Sequence, residues 1–193
     1  MNKVDITAIA LVLSLAFSTG ALAQSMSRHD YKAGKHEIEA QYKSAKASCT
    51  SLSGNPNDIC EAEARGKNKV AMAELEASYK PSRKTLYRVS VAKAEADYGV
   101  AKEQCDRKAG NAKAVCMKEA KAMKIAAKAD ARVQMKTSVA KATTRQESAD
   151  ARKGAATEKL DAEYAVAKEK CDEMAGRAKD VCLKDAKARF GKA

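Results

Sequence analysis

The chain has 193 residues, no tryptophan and a formal net charge of +12 at neutral pH. Alanine and lysine dominate, and alanine buries one methyl group where leucine buries four carbons, so a thick globular core is excluded and thin packing of helix on helix remains. The two histidines, His29 and His36, lie in one terminal segment, which argues against a catalytic triad built on histidine.

Residues 1–23 have the pattern of a cleavable secretory signal peptide. Lys3 precedes a short apolar run. The tripeptide Ala-Leu-Ala at 21–23, with a small residue at each end, precedes a cleavage site at Gln24. The run is shorter than the roughly 20 apolar residues that a membrane-spanning helix needs, which argues against an uncleaved anchor. We therefore expect export to the periplasm and a mature chain without a transmembrane segment.

One repeated unit organises the rest of the chain. Its copies begin at Tyr42, Tyr98 and Tyr164, and the second and third copies are identical at 17 of 25 positions. Every copy holds two cysteines with ten residues between them and a glycine near the midpoint. Tyrosine and first cysteine are seven residues apart, as on a coiled-coil seam, so each copy predicts a helical hairpin that reverses at the glycine. The predicted segments are a hairpin over 24–80, a second over 81–142, and a polar helical linker with a third hairpin over 143–193.

The first reversal has a residue suited to each position. Gly54 suits the left-handed conformation that ends a helix, Asn55 an N-cap, and Pro56 the first position of the next helix. Gly66 is expected to weaken that next helix, because glycine is a poor helix former.

Pro81 is expected to kink or briefly break the helix over residues 79–82, since proline removes a backbone donor and disfavours helical angles in the residue before it. The helix then resumes and reverses at Gly110 and Asn111. A third reversal is predicted at Gly176.

Residues 112–175 contain no proline and a single glycine, Gly154. The sequence predicts either one helix of about 95 Å or two helices joined by a flexible polar stretch over 137–154. The repeat copies begin 56 and 66 residues apart. A regular solenoid keeps its period, so unequal spacing favours hairpins joined by struts.

Counting residues to the glycine favours a disulfide within each hairpin. Two residues eleven apart in one helix lie about 16 Å apart, whereas a disulfide needs Cα atoms within about 7 Å. A reversal at the glycine brings the two cysteines to the same height on antiparallel helices, and export favours oxidation. The predicted pairs are Cys49–Cys60, Cys105–Cys116 and Cys171–Cys182. Tyr42, Tyr98 and Tyr164 are predicted to pack on the seam two turns below each clasp.

Other chemistry has little support in the sequence. Zinc spacing and a redox Cys-x-x-Cys motif are both missing, and the glycines serve as helix ends rather than as a phosphate-binding loop. His29 and His36 offer at most a weak copper or nickel site. We assign no catalytic residue, cofactor or metal ligand, and no module that reads nucleic acid. The basic charge predicts attraction to polyanions, with a merely solvated helix surface as the alternative.

The pattern Tyr-x-x-Ala-Lys-x-x-Cys-Asp followed by Gly-Asn-Ala-Lys-x-x-Cys-x-x-Glu-Ala resembles a group of uncharacterised exported proteins of Gram-negative bacteria, labelled TolA-like or cell envelope biogenesis proteins. Residues 98–124 and 164–193 carry the resemblance most clearly. The label rests on Ala/Lys/Glu-rich helices like the long middle domain of TolA, and it implies a role in the cell envelope. The chain departs from TolA in lacking a retained N-terminal membrane helix and a globular C-terminal domain.

The sequence therefore predicts an elongated all-α protein of long antiparallel helices, with three disulfide-clasped hairpins and a thin alanine-rich core. We expect a non-enzymatic periplasmic protein with a structural or adaptor role, whose basic faces contact an anionic envelope polymer or a periplasmic protein. The alternatives are a chaperone-like stress protein and a metal or thiol-redox buffer. The sequence predicts no oligomeric state.

Overall fold

The computed structural model describes residues 26–137 and 145–192, so the predicted leader lies outside the described residues. Within these two ranges the chain is helical and contains no strand. The six helices are α1 (Arg28–Cys49), α2 (Asn55–Tyr79), α3 (Arg83–Cys105), α4 (Gly110–Thr137), α5 (Arg145–Cys171) and α6 (Gly176–Arg189). None of these helices is long and apolar enough to cross a lipid bilayer.

The helices form a single layer. In the described parts of the chain, each helix contacts only the helices next to it in sequence, from α1 on α2 through to α5 on α6. Neighbouring helices run antiparallel, so α1, α3 and α5 end on the same side of the layer, where the cysteines lie. Because no second layer covers the helices, both broad faces of the layer are open.

The core is made of small side chains, as the composition predicts. Among the described residues, ten of the thirteen buried hydrophobic residues are alanines, and the other three are the first cysteine of each pair. Alanine lets helix axes approach closely but buries little apolar area per residue. The prediction of an all-α fold with a thin alanine-rich core is confirmed.

The helix breaks at Pro81, as predicted, and the chain reverses there instead of kinking. Helix α2 ends at Tyr79, and α3 begins at Arg83 and packs back along α2. Ser82 caps α3, since its Oγ accepts from the Thr85 backbone N–H at 3.1 Å while Thr85 Oγ1 accepts from the Ser82 N–H at 2.9 Å. The first two hairpins are therefore packed together, and the predicted strut between them is wrong.

A second correction concerns the stretch from 112 to 175. Helix α4 ends at Thr137, and α5 begins at Arg145 and packs against α4, so a single continuous helix is wrong. Gly154 lies within α5 and does not interrupt it. Part of the polar stretch, residues 138–144, lies outside the described residues.

Gly66 has a packing role that its low helix propensity does not predict. It is buried in α2, and a Cβ atom there would lie 2.9 Å from the Ala96 Cβ and 3.3 Å from the Ala96 Cα of α3. The Ala96 Cα belongs to the backbone, so it cannot move aside as a flexible side chain would. Glycine is therefore required for the close approach of α2 and α3.

The first turn differs by one position from its prediction. The glycine is left-handed, with φ 62° at Gly54, but it is itself the N-cap, and Asn55 is the first residue of α2. The Asn55 Nδ2 donates to the Glu103 carbonyl of α3 at 2.5 Å, which joins the first clasp to the end of α3. Asn57 instead caps the C-terminal end of α1, because its Nδ2 donates to the Cys49 carbonyl at 2.7 Å.

Candidate interaction surfaces

The three cysteine pairs form disulfides within the hairpins, as residue counting predicts. The Cα–Cα distances are 5.6, 5.6 and 5.7 Å, and no cysteine is free. In each pair the first cysteine is buried, so the bond is part of the core. Gly110 and Gly176 have positive φ at the turns of the second and third hairpins. Three structural disulfides are typical of an oxidising, extracytoplasmic compartment.

The three repeat tyrosines are half-buried. The side chain 26 residues further on covers the ring in two copies: Lys124 Nζ lies 3.7 Å from the Tyr98 centroid, and the Phe190 and Tyr164 centroids are 6.2 Å apart. Tyr42 occupies the same repeat position. Their function as packing anchors stays a prediction.

Ion pairs bridge the turn in the second and third hairpins. Asp106 Oδ1 lies 2.8 Å from Lys113 Nζ, and at equivalent positions Asp172 Oδ1 lies 2.9 Å from Lys179 Nζ. The hydrogen bond from each lysine lowers the pKa of its aspartate below the usual value, and the positive charge adds to the effect. In the first hairpin Asn57 stands in place of the lysine.

These pairs predict a pH dependence at the clasped end. A carboxylate whose folded-state pKa is lowered stabilises the fold above its ordinary pKa, and this stabilisation is lost as the pH falls through the lowered folded-state value. We expect carboxyl NMR to show midpoints below the ordinary 3.8 for Asp106 and Asp172. Lys113→Ala should raise the Asp106 midpoint and leave Asp172 unchanged. An unshifted Asp106 midpoint in the native protein would show that the pair does not form.

The two broad faces can be told apart at the α2–α3 seam. Gly66 and Ala96 line a groove on each side of it. The groove on one side has three cations, Arg65, Lys69 and Lys102, and two carboxylates, whereas the groove on the other side has one cation, Lys67, and three carboxylates. The seam therefore separates two faces of different chemistry.

The face that bears Lys102 carries two rows of cations. Residues at helical intervals lie on one side of their helix, so each row follows one edge of α3 or α4. We call this surface the basic face. Its cations are Lys84, Arg88 and Lys102 on α3, and Lys118, Lys121, Lys128 and Arg132 on α4.

Contacts between α3 and α4 place the two rows side by side. Glu95 lies seven residues from both Arg88 and Lys102, and its Oε1 is 3.1 Å from Lys128 Nζ. Glu95 and Lys102 also line the same groove. Packed helix axes are about 8–10 Å apart, so the rows are close neighbours.

The ion pairs of the basic face are exposed and exchangeable. Lys118 Nζ lies 3.8 Å from Glu169 Oε2, and Arg132 pairs with Glu158, with both cations exposed to solvent. Exposed pairs of this kind contribute about 0–1 kcal/mol, so an incoming polyanion can replace the carboxylates.

The opposite face carries exposed apolar side chains. Leu86 is 60% exposed and Met123 is 63% exposed. Leu86 lies seven residues before Lys93, which pairs across the seam with Glu74 at 2.8 Å. Met123 lies five residues before Lys128, which is about 140° around α4 at 3.6 residues per turn, so it faces away from the basic face. We call this surface the apolar-studded face.

The sequence predicts basic faces but not their residues, and it does not predict the apolar-studded face, although the signal for the cation rows was present. Lys84, Arg88 and Lys102 recur at intervals of four and fourteen residues, which is helical spacing. What placed them beside α4 was the packing of the helices, and no single-helix pattern carries that information.

Among the described residues, no three His, Cys, Asp or Glu side chains are grouped closely enough to hold a metal ion.

Comparison with known proteins returned no match: no family model, no curated protein and no solved structure is similar to this chain. The resemblance to TolA-like envelope proteins therefore stays a prediction.

Proposed function

We propose that this protein is a non-enzymatic adaptor of the bacterial cell envelope, located in the periplasm, whose basic face binds an anionic envelope polymer. The observation that carries the proposal is the pair of adjacent cation rows on α3 and α4, on a face that no second layer covers. The leader pattern at residues 1–23 and the resemblance to TolA-like proteins support the compartment.

The geometry suits an extended polymer better than a compact anion. Lys84 and Lys102 lie 18 residues apart in α3, which is about 27 Å at 1.5 Å per residue. Repeated phosphates or carboxylates along a chain can pair with successive cations over such a length. The net charge of +12 adds a long-range attraction that speeds the encounter and weakens with salt.

Charge reversal at two unpaired lysines tests the proposal. Neither Lys84 nor Lys121 forms an ion pair with a described residue, so Lys84→Glu/Lys121→Glu removes cations without breaking an ion pair. We expect affinity for polyphosphate and for lipopolysaccharide to fall about tenfold or more, since removing phosphate contacts weakens polyanion binding. Isothermal titration calorimetry measures the change.

A matched variant separates the face from the overall charge. Lys43→Glu/Lys67→Glu makes the same change in net charge away from the basic face, and we expect it to weaken binding much less. Equal losses in both variants would contradict a defined binding face. So would affinity that stays the same from low to high salt, because charge-driven binding is screened.

A second candidate is a chaperone-like stress protein that holds unfolded clients. The specific observation in its favour is the exposure of Leu86 and Met123 on the apolar-studded face, where each offers apolar surface to an unfolded client. Suppression of client aggregation that persists at high salt and is lost in Leu86→Asp/Met123→Asp would favour this function.

The thiol-buffer alternative would need free thiols, whereas all six cysteines are in disulfides.

A further inference from the structure

A groove of about 790 Å³ lies between α5 and α6 at the end of the layer. Its large apolar side chains are Met174, Val181 and Phe190, and both cysteines of the third disulfide also line it. Met174 is 46% exposed and Val181 is 52% exposed, so the groove is open to solvent. This volume is within the roughly 300–1,000 Å³ of small-molecule sites.

The apolar lining is particular to the third hairpin. Met174 stands where the second copy has Lys108, and Phe190 stands where the second copy has Lys124. Two positions that hold lysine in the second hairpin are thus apolar in the third, within a repeat that is otherwise mostly identical. The groove is therefore a local departure from the repeat rather than a property of every clasp.

The cations of the groove also depart from the repeat. Arg177 stands where the second copy has Asn111, and Arg189 stands where it has Met123. Three cations line the groove with a single carboxylate, that of Asp185. Arg189 lies over the Phe190 ring, with its guanidinium carbon 5.4 Å from the ring centroid, whereas Arg177 forms no ion pair with a described residue.

The groove combines apolar side chains with an unpaired cation, Arg177, near one end. Arg177 lies in the first turn of α6, and Phe190 directly follows that helix, 13 residues further on. At the helical rise this is about 20 Å, which is comparable with a long extended alkyl chain. A hydrophilic polyanion would leave Met174 and Val181 exposed to water. A ligand with one anionic headgroup and one alkyl chain satisfies both parts.

We infer that the α5–α6 groove binds a long-chain fatty acid. Its carboxylate lies at Arg177, and its alkyl chain covers Met174, Val181 and Phe190. Burial of the chain against exposed apolar side chains drives binding, and the guanidinium selects the anion because it is always charged and presents paired donors. This inference does not depend on the basic face, which lies on α3 and α4.

The test uses the oxidised full mature protein and hexadecanoic acid below its aggregation concentration. Isothermal titration calorimetry measures affinity, and carboxyl-labelled ligand in NMR reports on the headgroup. We expect saturable one-to-one binding. Val181→Asp and Arg177→Glu should each weaken binding about tenfold, which corresponds to about 1.4 kcal/mol. Both positions are exposed, so the variants should fold, and circular dichroism checks this.

Leu52→Asp is the matched control, since Leu52 is 44% exposed and apolar but lies outside the groove, in the first hairpin. It should change the affinity less than about twofold, within the range usual for distant sites. An equal loss in Leu52→Asp would overturn the inference by showing non-specific adsorption. Binding of hexadecanol as tight as that of the acid would overturn the role of Arg177.

Other occupants give other results. Binding to anionic vesicles without uptake of monomeric fatty acid would overturn the inference in favour of a membrane surface. Capture of an apolar peptide in place of the fatty acid would overturn it in favour of a protein client. Val181→Asp should leave polyphosphate binding unchanged, so failure here and failure of the basic face can be told apart.

Discussion

Removing the central disulfide with Cys105→Ser/Cys116→Ser is expected to lower the free energy of unfolding by about 3 kcal/mol. The bond closes a loop with a sequence separation of 11, and a short closed loop of this kind contributes about that much by restricting the unfolded chain. The loss is large for this protein because its buried core consists of alanines and the clasp cysteines themselves. Urea unfolding followed by circular dichroism measures it.

The central clasp should also affect its neighbours. The second hairpin packs on α2 on one side and on α5 on the other, and in a linear array stability passes through nearest-neighbour interfaces. We therefore expect unfolding of the variant to become broader and less cooperative. As a control, Cys171→Ser/Cys182→Ser should remove a similar amount locally and leave the first two hairpins cooperative. A loss below about 1 kcal/mol in the central variant, within the range of ordinary substitutions, would contradict the clasp account.

Enlarging Gly66 is expected to separate the first two hairpins. In Gly66→Leu the new Cβ would meet Ala96 at 2.9 Å and its backbone Cα at 3.3 Å, so α3 must move away from α2. Overpacking of this kind costs about 1–3 kcal/mol or more, despite the better helix propensity of leucine. Hydrogen exchange should show lower protection along α2 and α3, and chemical denaturation should give the energy.

Gly154→Ala is the matched control, because Gly154 also lies within a helix but has nothing within 4 Å of an added Cβ. There the propensity term acts alone, and we expect stabilisation by up to about 1 kcal/mol. Opposite signs for the two glycines are the expected result. Stabilisation by Gly66→Leu would show that the α2–α3 seam is not packed as described.

The clasps could be predicted from sequence because they depend on local counting. The distances from each cysteine to its turn glycine are fixed by helix geometry, so Cys105 and Cys116 had one favourable arrangement. The turn residues were harder, since Asn55 and Asn57 are both suited to a helix start. Neither is the N-cap of α2: Asn55 donates to the Glu103 carbonyl of α3, a contact 48 residues away, and Asn57 donates to the Cys49 carbonyl at the end of α1.

The packing of hairpin on hairpin could not be predicted from the same patterns. Proline rules say that a helix ends near Pro81 but not that the chain turns back, because direction is decided by what the next helix can pack on. The same holds for Gly66, whose low propensity predicts weakness while its contact with Ala96 makes it necessary. The basic face could not be predicted for the same reason, since the cation rows of α3 and α4 come together only after the chain reverses at Gly110, as the contact between Glu95 and Lys128 shows.

The most direct test of the clasped single layer is disulfide mapping of the protein produced in an oxidising compartment, by proteolysis under non-reducing conditions and mass spectrometry. The structure predicts three linkages, each within one hairpin (Cys49–Cys60, Cys105–Cys116 and Cys171–Cys182), and no free thiol. Stoichiometric free thiols, or a linkage between cysteines of different hairpins, would contradict it.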